Sequence, residues 1–206
     1  MADGECGSGG DRCVHGVKNK VIGIAGNWPS DSAQLEKLFA RAGQEQIQAE
    51  FNSEPNKEER EKFSFFSYGA VFVEVQVDPF GQVRMKRAVG VYDVGRMINR
   101  RLARSQIIGG MLFGFSTALM EGTVPDEKTG RIVNPNLAEY HVAVHADTPE
   151  FDINFINEPD PHMSDLGARG IGEIGIVGVP AAVANAIFNA TGKRVRELPV
   201  TLDKLI

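Results

Sequence analysis

A carboxylate inside a glycine loop is the first feature that could do chemistry. The stretch Leu166 to Gly192, LGARGIGEIGIVGVPAAVANAIFNATG, carries Gly170-x-Gly172-x-x-Gly175 with Glu173 among the glycines. Such a glycine spacing lets backbone N–H groups approach a pyrophosphate at a helix N-terminus. A dinucleotide fingerprint of that kind must leave a strand directly and open a helix in a βαβ unit. Here EPDPHMSDLGARG separates the loop from the preceding strand pattern, which ends near Asn157, and too little chain follows for a doubly wound sheet. Glu173 would also bring negative charge toward a phosphate. The other reading is that the glycines serve the acid. Gly170 and Gly172 flank Ile171 and leave room for a bulky group against the backbone. Apolar Ile171, Ile174, Ile176 and Val177 surround Glu173, and partial burial there would raise its pKa toward the range of a general base. A Glu that caps the following helix or pairs with Arg169 is the structural alternative.

Two further groupings carry donors. Gln106 lies in ARSQIIGGMLFGFSTALMEG, whose Gly109, Gly110 and Gly114 each cost a helix about 1 kcal/mol relative to Ala. That cost implies close packing against another backbone, or access for a ligand whose planar ring the Gln106 amide could pair. Close packing is the simpler of the two. Arg96, Asn99, Arg100, Arg101 and Arg104 form a local basic cluster; arginine forks suit phosphates, and a solvated face is the alternative. His15, His141, His145 and His162 form no metal constellation, and AEYHVAVHA alternates as a strand. No metal-ligating residues are assigned. Cys6 and Cys13 fit no zinc or redox spacing and read as free thiols.

The elements that must position these residues follow from periodicity. Residues 1–30 are Gly-rich and weakly patterned, with one apolar piece, Val21 to Ala25. DSAQLEKLFARAG (31–43) predicts a helix capped by Asp31 or Ser32 and closed by Gly43. Residues 52–62 form a charged connector. Tyr68 to Val77 and Gln82 to Tyr92 alternate on either side of Asp78-Pro79-Phe80-Gly81, a β-hairpin with Val83, Met85, Val89 and Val91 on one side. A donor-rich loop, Asp93 to Arg101, precedes a helix over about Leu102 to Glu121. Phe151 to Asn157 is a further strand. Pro180 starts a helix that runs to Asn189, and Val195 to Val200 is a last short strand. Strands and helices mix without strict βαβ alternation, so the fold class is α+β. Residues 1–59 make a poorly patterned region with one helix, and 60–206 make the domain.

Composition narrows the partners. The chain has 206 residues, 42% hydrophobic and 24% charged, an ordinary globular balance. A net charge of −5 argues against a nucleic-acid binder. The apolar run Ile107 to Met120 falls short of the roughly 20 residues that span a bilayer, so no membrane segment is expected. The first residues lack the apolar core of a secretory signal.

Taken together and in this order, the features resemble the molybdenum-binding subunit of the xanthine dehydrogenase and aldehyde oxidase family, closest in style to bacterial periplasmic-type aldehyde oxidoreductases. The stretches that carry the resemblance are FSYGAVFVEVQVDPFGQVRMKRAVGVYDVGRMIN, ARSQIIGGMLFGFSTALMEGTV, GRIVNPNLAEYHVAVHADTPEFDINFINEPDP and LGARGIGEIGIVGVPAAVANAIFNATGKRVRELPVT. It covers residues 60–206 densely and 1–30 hardly at all. It implies the C-terminal molybdopterin-binding domain of a molybdenum hydroxylase. It implies Glu173 as the catalytic base beside the molybdenum, and hydroxylation of an aldehyde or an N-heterocycle, such as a purine, with oxygen from water. It implies that Arg169, Gly170, Ile171 and Gly172 lie against the molybdopterin cofactor, as its cytosine dinucleotide, and that Arg96, Asn99 and Gln106 make further contacts. It implies [2Fe–2S] and FAD on partner subunits, an iron–sulfur subunit and an FAD subunit. Family members are several times longer, and the part that precedes this region supplies the other wall of the cleft. The isolated chain is therefore expected to bind cofactor poorly and turn over little, or to be a non-catalytic remnant or assembly module. The expected location is the cytoplasm, with export through a partner's signal to the periplasm as the alternative.

Overall fold

The structure is a computed structural model that describes residues 9–43, 45–48, 50, 57–163 and 166–206. Contacts divide the chain into two compact units, Met1–Ser64 with Pro161–Gly167, and Phe65–Asp160 with Ala168–Ile206.

The first unit holds α1 (Gly9–Ala25), α2 (Ser32–Ala42) and α3 (Lys57–Lys62). The α2 boundaries follow their local chemistry. Asp31 Oδ1 accepts the Gln34 N–H at 2.8 Å, and Gly43, at φ 61°, closes the helix by donating to Phe39 O. The α1 helix corrects the expectation of a weakly patterned N-terminus. Val14, Val17, Val21 and Ile24 recur at helical spacing, and Val21 is buried. The connector over 52–62 also ends in a helix, α3. Cys6 and the Cys13 side chain lie outside the described residues.

The second unit is built on a three-stranded sheet in the order β1 (Tyr68–Val77), β2 (Val83–Asp93), β3 (Glu150–Phe155). The first pair is an antiparallel hairpin. Asp78 Oδ1 accepts the N–H groups of Phe80 and Gln82, both at 2.9 Å, and Gly81 takes φ 86° to complete the turn. A bulge breaks the register between Glu74 and Val75, where pairing steps from Arg87 to Met85. It changes which β2 residues face inward. Val77, Val75, Val73, Val71 and Gly69 oppose Val83, Met85, Ala88, Gly90 and Tyr92. Directly opposed residues share a face, so Ala88 and Tyr92 join the core in place of the expected Val89 and Val91. Room for the Tyr92 ring comes from glycine: a Cβ on Gly69 or on Gly90 would sit 2.5 Å from it.

β3 runs parallel to β2, and the crossover between them carries α4 (Arg100–Leu119). This helix starts two residues earlier than its apolar pattern, because Asn99 caps it by accepting the Leu102 N–H. Its buried stripe is Ala103, Ile107, Met111, Phe115 and Ala118. The stripe packs with Val179, Val183 and Ile187 of α6 (Val179–Thr191), which follows the four-residue α5 (Ile174–Val177). Ile174 to Thr191 is apolar enough to cross a membrane by length and composition. It is split into α5 and α6 at Gly178, and the inner face of α6 belongs to the core.

Two expected strands are absent among the described residues. AEYHVAVHA instead forms an irregular segment with a 3-10 turn, His145–Asp147. It is held from outside: the Ala143 N–H donates to Ser116 Oγ at 2.9 Å, and the Tyr140 hydroxyl donates to the Glu121 carboxylate at 3.0 Å. Residues 195–200 form no strand either. The Val200 N–H bonds Ala118 O at 2.7 Å, and Lys204 Nζ gathers the carbonyls of Glu197 and Pro199. Alternation alone reads any apolar–polar repeat as a strand; here the Ala143 N–H goes to a side chain and the Val200 N–H to the end of α4 instead of to a sheet edge. The α+β class stands.

Candidate functional site

The loop from Ala168 to Glu173 hangs off the end of β2. Gly95, at φ 70°, forms an antiparallel bridge with Ala168, and the Arg169 N–H donates to Val94 O at 2.7 Å. The next glycines lie open: a Cβ on Gly170 or on Gly172 would meet nothing within 4 Å. What holds them is polar. Ser67 Oγ donates to Gly170 O at 2.5 Å, and Gln106 Nε2 donates to Gly172 O at 2.7 Å. Gln106 thus reaches from α4 to the loop, which leaves its amide oxygen as the acceptor for anything placed beside it.

Gly110, Gly114 and Gly175 do different work. A Cβ on Gly110 would approach Gly175 Cα to 3.0 Å, one on Gly114 would approach Val179 Cβ to 2.6 Å, and one on Gly175 would approach Ile107 O to 2.8 Å. Close packing of α4 on α5 and α6 explains these three. Gly109 has open space and no such reason.

Arg169 turns inward. Its guanidinium meets Asp93 Oδ2 at 2.6 Å and Asp160 Oδ2 at 3.2 Å, with the side chain 11% exposed. Asp93 is 5% exposed. Burial alone would raise its pKa; bonds from Arg169, the Gly95 N–H and Tyr68 outweigh that and hold it below the usual carboxylate range. The Asp93 bond in turn keeps Arg169 charged against its own desolvation, and the same acid raises Tyr68 above its ordinary value. Arg169 Nε is buried without a hydrogen-bond partner.

Glu173 occupies the N-cap position of α5, yet its side chain makes no capping bond. Nor does it pair with Arg169, whose charge goes to Asp93 and Asp160. Both structural alternatives for this acid are unmet among the described residues. The expectation of partial burial is corrected: Glu173 is exposed, because Ile171 and Ile174 pack inward against the core cluster while the acid points out.

Beside the loop lies an open cleft of about 470 Å³. Val94, Met97, Leu102 and Ile171 give it an apolar lining. Arg96, Asn99, Gln106, Arg169 and Gly172 give it a polar one. Of the expected cofactor contacts, Gly170 is the one that does not line this cleft. Asn99 spends its side-chain oxygen on the α4 cap, and Arg96 is exposed. His141 and His145 join no metal-ligating cluster among the described residues. His162 belongs to the first unit, where its Nδ1 lies 3.0 Å from Glu59 and its ring stacks on Phe63 at 3.8 Å.

The sequence reading overlooked Ser67, Tyr68, Asp93, Asp160 and Asn157. Asp93 had a signal: a charge that ends an alternating strand two residues before a glycine, the spacing of the turn in which its Oδ1 accepts the Gly95 N–H at 3.0 Å. Asn157, at φ 59°, accepts the Met97 N–H at 2.8 Å and so ties the Arg96–Asn99 loop to the end of β3. Nothing local marks that role.

A molybdopterin-bearing group fits this donor set: open glycine backbone, an amide acceptor and an exposed arginine around an apolar cleft. Residues 14–149 match the family model described as the molybdopterin cofactor-binding domain. Over 141 residues the chain is 47% identical to the aldehyde oxidoreductase molybdenum-binding subunit of Escherichia coli (strain K12), covering 68% of this chain and 19% of that protein. It is 36% identical over 140 residues to the xanthine dehydrogenase molybdenum-binding subunit of Escherichia coli O157:H7, covering 68% of this chain and 18% of that one. Among solved structures, the aldehyde oxidoreductase of Desulfovibrio gigas superposes with a TM-score of 0.61 at 31% identity, over 68% of this chain and 15% of that chain. The chain thus spans about a fifth of the length of the curated relatives it matches. On the family-model match, with these relatives beside it, the chain belongs to the molybdopterin cofactor-binding domain family.

Proposed function

We propose that this chain forms one wall of the active site of a molybdenum-dependent hydroxylase. That enzyme oxidises aldehydes to carboxylic acids or hydroxylates N-heterocycles such as purines, with oxygen from water. The observation that carries the reading is Glu173, an exposed carboxylate with no capping bond and no partner on Arg169, at the end of a loop whose glycine backbones lie open.

The chain's own residues divide the work. Gly170 and Gly172, without side chains, let the cofactor lie against the loop, with Ile171 against its apolar part. The Gln106 oxygen accepts from it, and Arg96 offers a fork to its phosphates. Asn99 and Arg169 act beside it through the backbone they hold. The Glu173 carboxylate takes the proton from the attacking water-derived oxygen, as a general base. When bound, the molybdenum group supplies a metal centre that accepts the substrate's two electrons.

The cytosine dinucleotide is the form we assign to the cofactor. An iron–sulfur subunit with [2Fe–2S] clusters and an FAD subunit carry the electrons away, and the remaining part of a molybdenum subunit completes the cleft. The location we assign is the cytoplasm, or the periplasm where a partner carries the export signal. The extensive exposed apolar surface, with Phe66, Phe72, Phe113, Leu137 and Val177 among it, favours a chain that works only in such an assembly. It equally suits a second reading, an assembly module without chemistry.

Elemental analysis of protein purified from its own cells, with masses of the chains that accompany it, separates the two. Near-stoichiometric molybdenum with an iron–sulfur chain supports the hydroxylase; partner chains without molybdenum support the module, and neither molybdenum nor partners marks a non-catalytic remnant. In the loaded complex, Glu173→Gln should lower kcat by at least about a hundredfold, the scale of a lost general base, at unchanged molybdenum content. Activity that survives the change removes Glu173 from its role.

A further inference from the structure

The loop that carries Glu173 has no apolar packing at Gly170 or Gly172 and is held by side chains that reach it from four other places in the fold. Ser67 and Tyr68 come from the start of β1, Asp93 from the end of β2, Gln106 from α4 and Asp160 from the segment after β3. Tyr68 and Asp93 are register partners at the open end of the hairpin. Opposite Asp93 in the register, the Tyr68 hydroxyl is pushed up by that acid, and its ring lies 5.6 Å from the Arg169 guanidinium. Arg169 is therefore gripped on both terminal nitrogens by acids, and on its backbone by Val94. Beyond it the chain has two unhindered glycines before Glu173. Glycine loses the most conformational freedom on ordering, so this loop keeps one shape only if its anchors hold.

We propose that Asp93, backed by Tyr68, is a positioning residue for Glu173: it fixes Arg169, and Arg169 fixes the origin of the glycine loop that carries the carboxylate beside the cleft. The proposal rests on Glu173 being the general base, but its test does not need the cofactor. Asp93 acts through Arg169 and touches no reacting atom.

The experiment is NMR on the full chain, unmodified and as Asp93→Asn, Tyr68→Phe and Arg169→Lys. Backbone order parameters over 170–173 should drop from the rigid range near ~0.85 toward the flexible range below ~0.6 in Asp93→Asn. Exchange of the Arg169 amide should speed up at least about tenfold there, while amides of Ile107 and Met111 in α4 keep their rates. Tyr68→Phe, a milder change on the same acid, should shift both readouts in the same sense by less. Arg169→Lys keeps a cation for Asp93 and should retain most of the order. In the loaded complex, Asp93→Asn should lower kcat several-fold with KM unchanged.

A loop that stays ordered in Asp93→Asn overturns the proposal. Equal acceleration of the Arg169 and Ile107 amides also overturns it, because it marks a general loss of stability. Where Asp93→Asn does not fold, Tyr68→Phe decides by the same two readouts. Should Glu173→Gln leave activity intact, the reading of the site fails while the loop result still stands or falls on its own.

Discussion

Gly109 and Gly114 lie five residues apart in the same helix, and the same substitution should have opposite effects at the two. Replacing either by Ala removes a glycine penalty of about 1 kcal/mol. At Gly109 nothing stands within 4 Å of the new Cβ, so the whole gain should appear. At Gly114 the Cβ would lie 2.6 Å from Val179 Cβ, 2.9 Å from Val179 Cγ1 and 3.3 Å from Ile176 O. Val179 is fully buried and branched at the contacting atom, so it cannot swing away. The helices must separate, and overpacking of that kind costs about 1–3 kcal/mol. Gly109→Ala should therefore stabilise by about 1 kcal/mol and Gly114→Ala should destabilise by up to about 2 kcal/mol once the helix gain is subtracted. Urea unfolding of the full chain, followed by circular dichroism at 222 nm, should show the two midpoints moving in opposite directions at unchanged m. A Gly114→Ala midpoint at or above that of the parent would refute the argument that α4 carries this glycine to admit α6.

Alkaline pH tests the buried Tyr92. Burial pushes its hydroxyl to about 12, and Tyr68 and Tyr140 are also raised, chiefly by bonds to Asp93 and Glu121. Absorbance titration should find none of the three ionising at its ordinary value, with Tyr92 last. Because the folded value lies above the unfolded one, its contribution is complete below pH 10 and is lost between about 10 and 12, by roughly 2–3 kcal/mol. Tyr92→Phe removes an unpartnered hydroxyl and should abolish this part of the pH dependence. At the acid end, the lowered Asp93 contributes stability that is complete above its ordinary carboxylate value and is lost as pH falls through its lower folded value. Acid unfolding of Asp93→Asn should lack that dependence, with lower stability at neutral pH, since Arg169 keeps Asp160 alone.

The hairpin, α2 and the crossover helix were legible from period, and residue type and spacing singled out Glu173, Gln106 and the glycines while leaving packing and chemistry both open for them. These are local properties: a turn needs its Asp and Gly, a helix its cap and stripe. The bulge between Glu74 and Val75 was not legible, since alternation on each side of it looks regular, and it alone exchanged Val89 and Val91 for Ala88 and Tyr92 in the core. The strands expected at 138–146 and 195–200 failed for a related reason, because sheet membership depends on a partner edge that alternation does not supply.

What the sequence determined by itself was the set of groups and the elements that carry them. What only the tertiary structure decided was who holds whom. Arg169, which the family resemblance placed against a cofactor, spends its charge on Asp93 and Asp160. Glu173, which its apolar neighbours suggested was half buried, points outward because those neighbours pack in. The physical reason is range. Capping bonds and turn geometry act within a few residues, whereas an ion pair or a buried ring is set by which distant segments the hydrophobic core brings side by side.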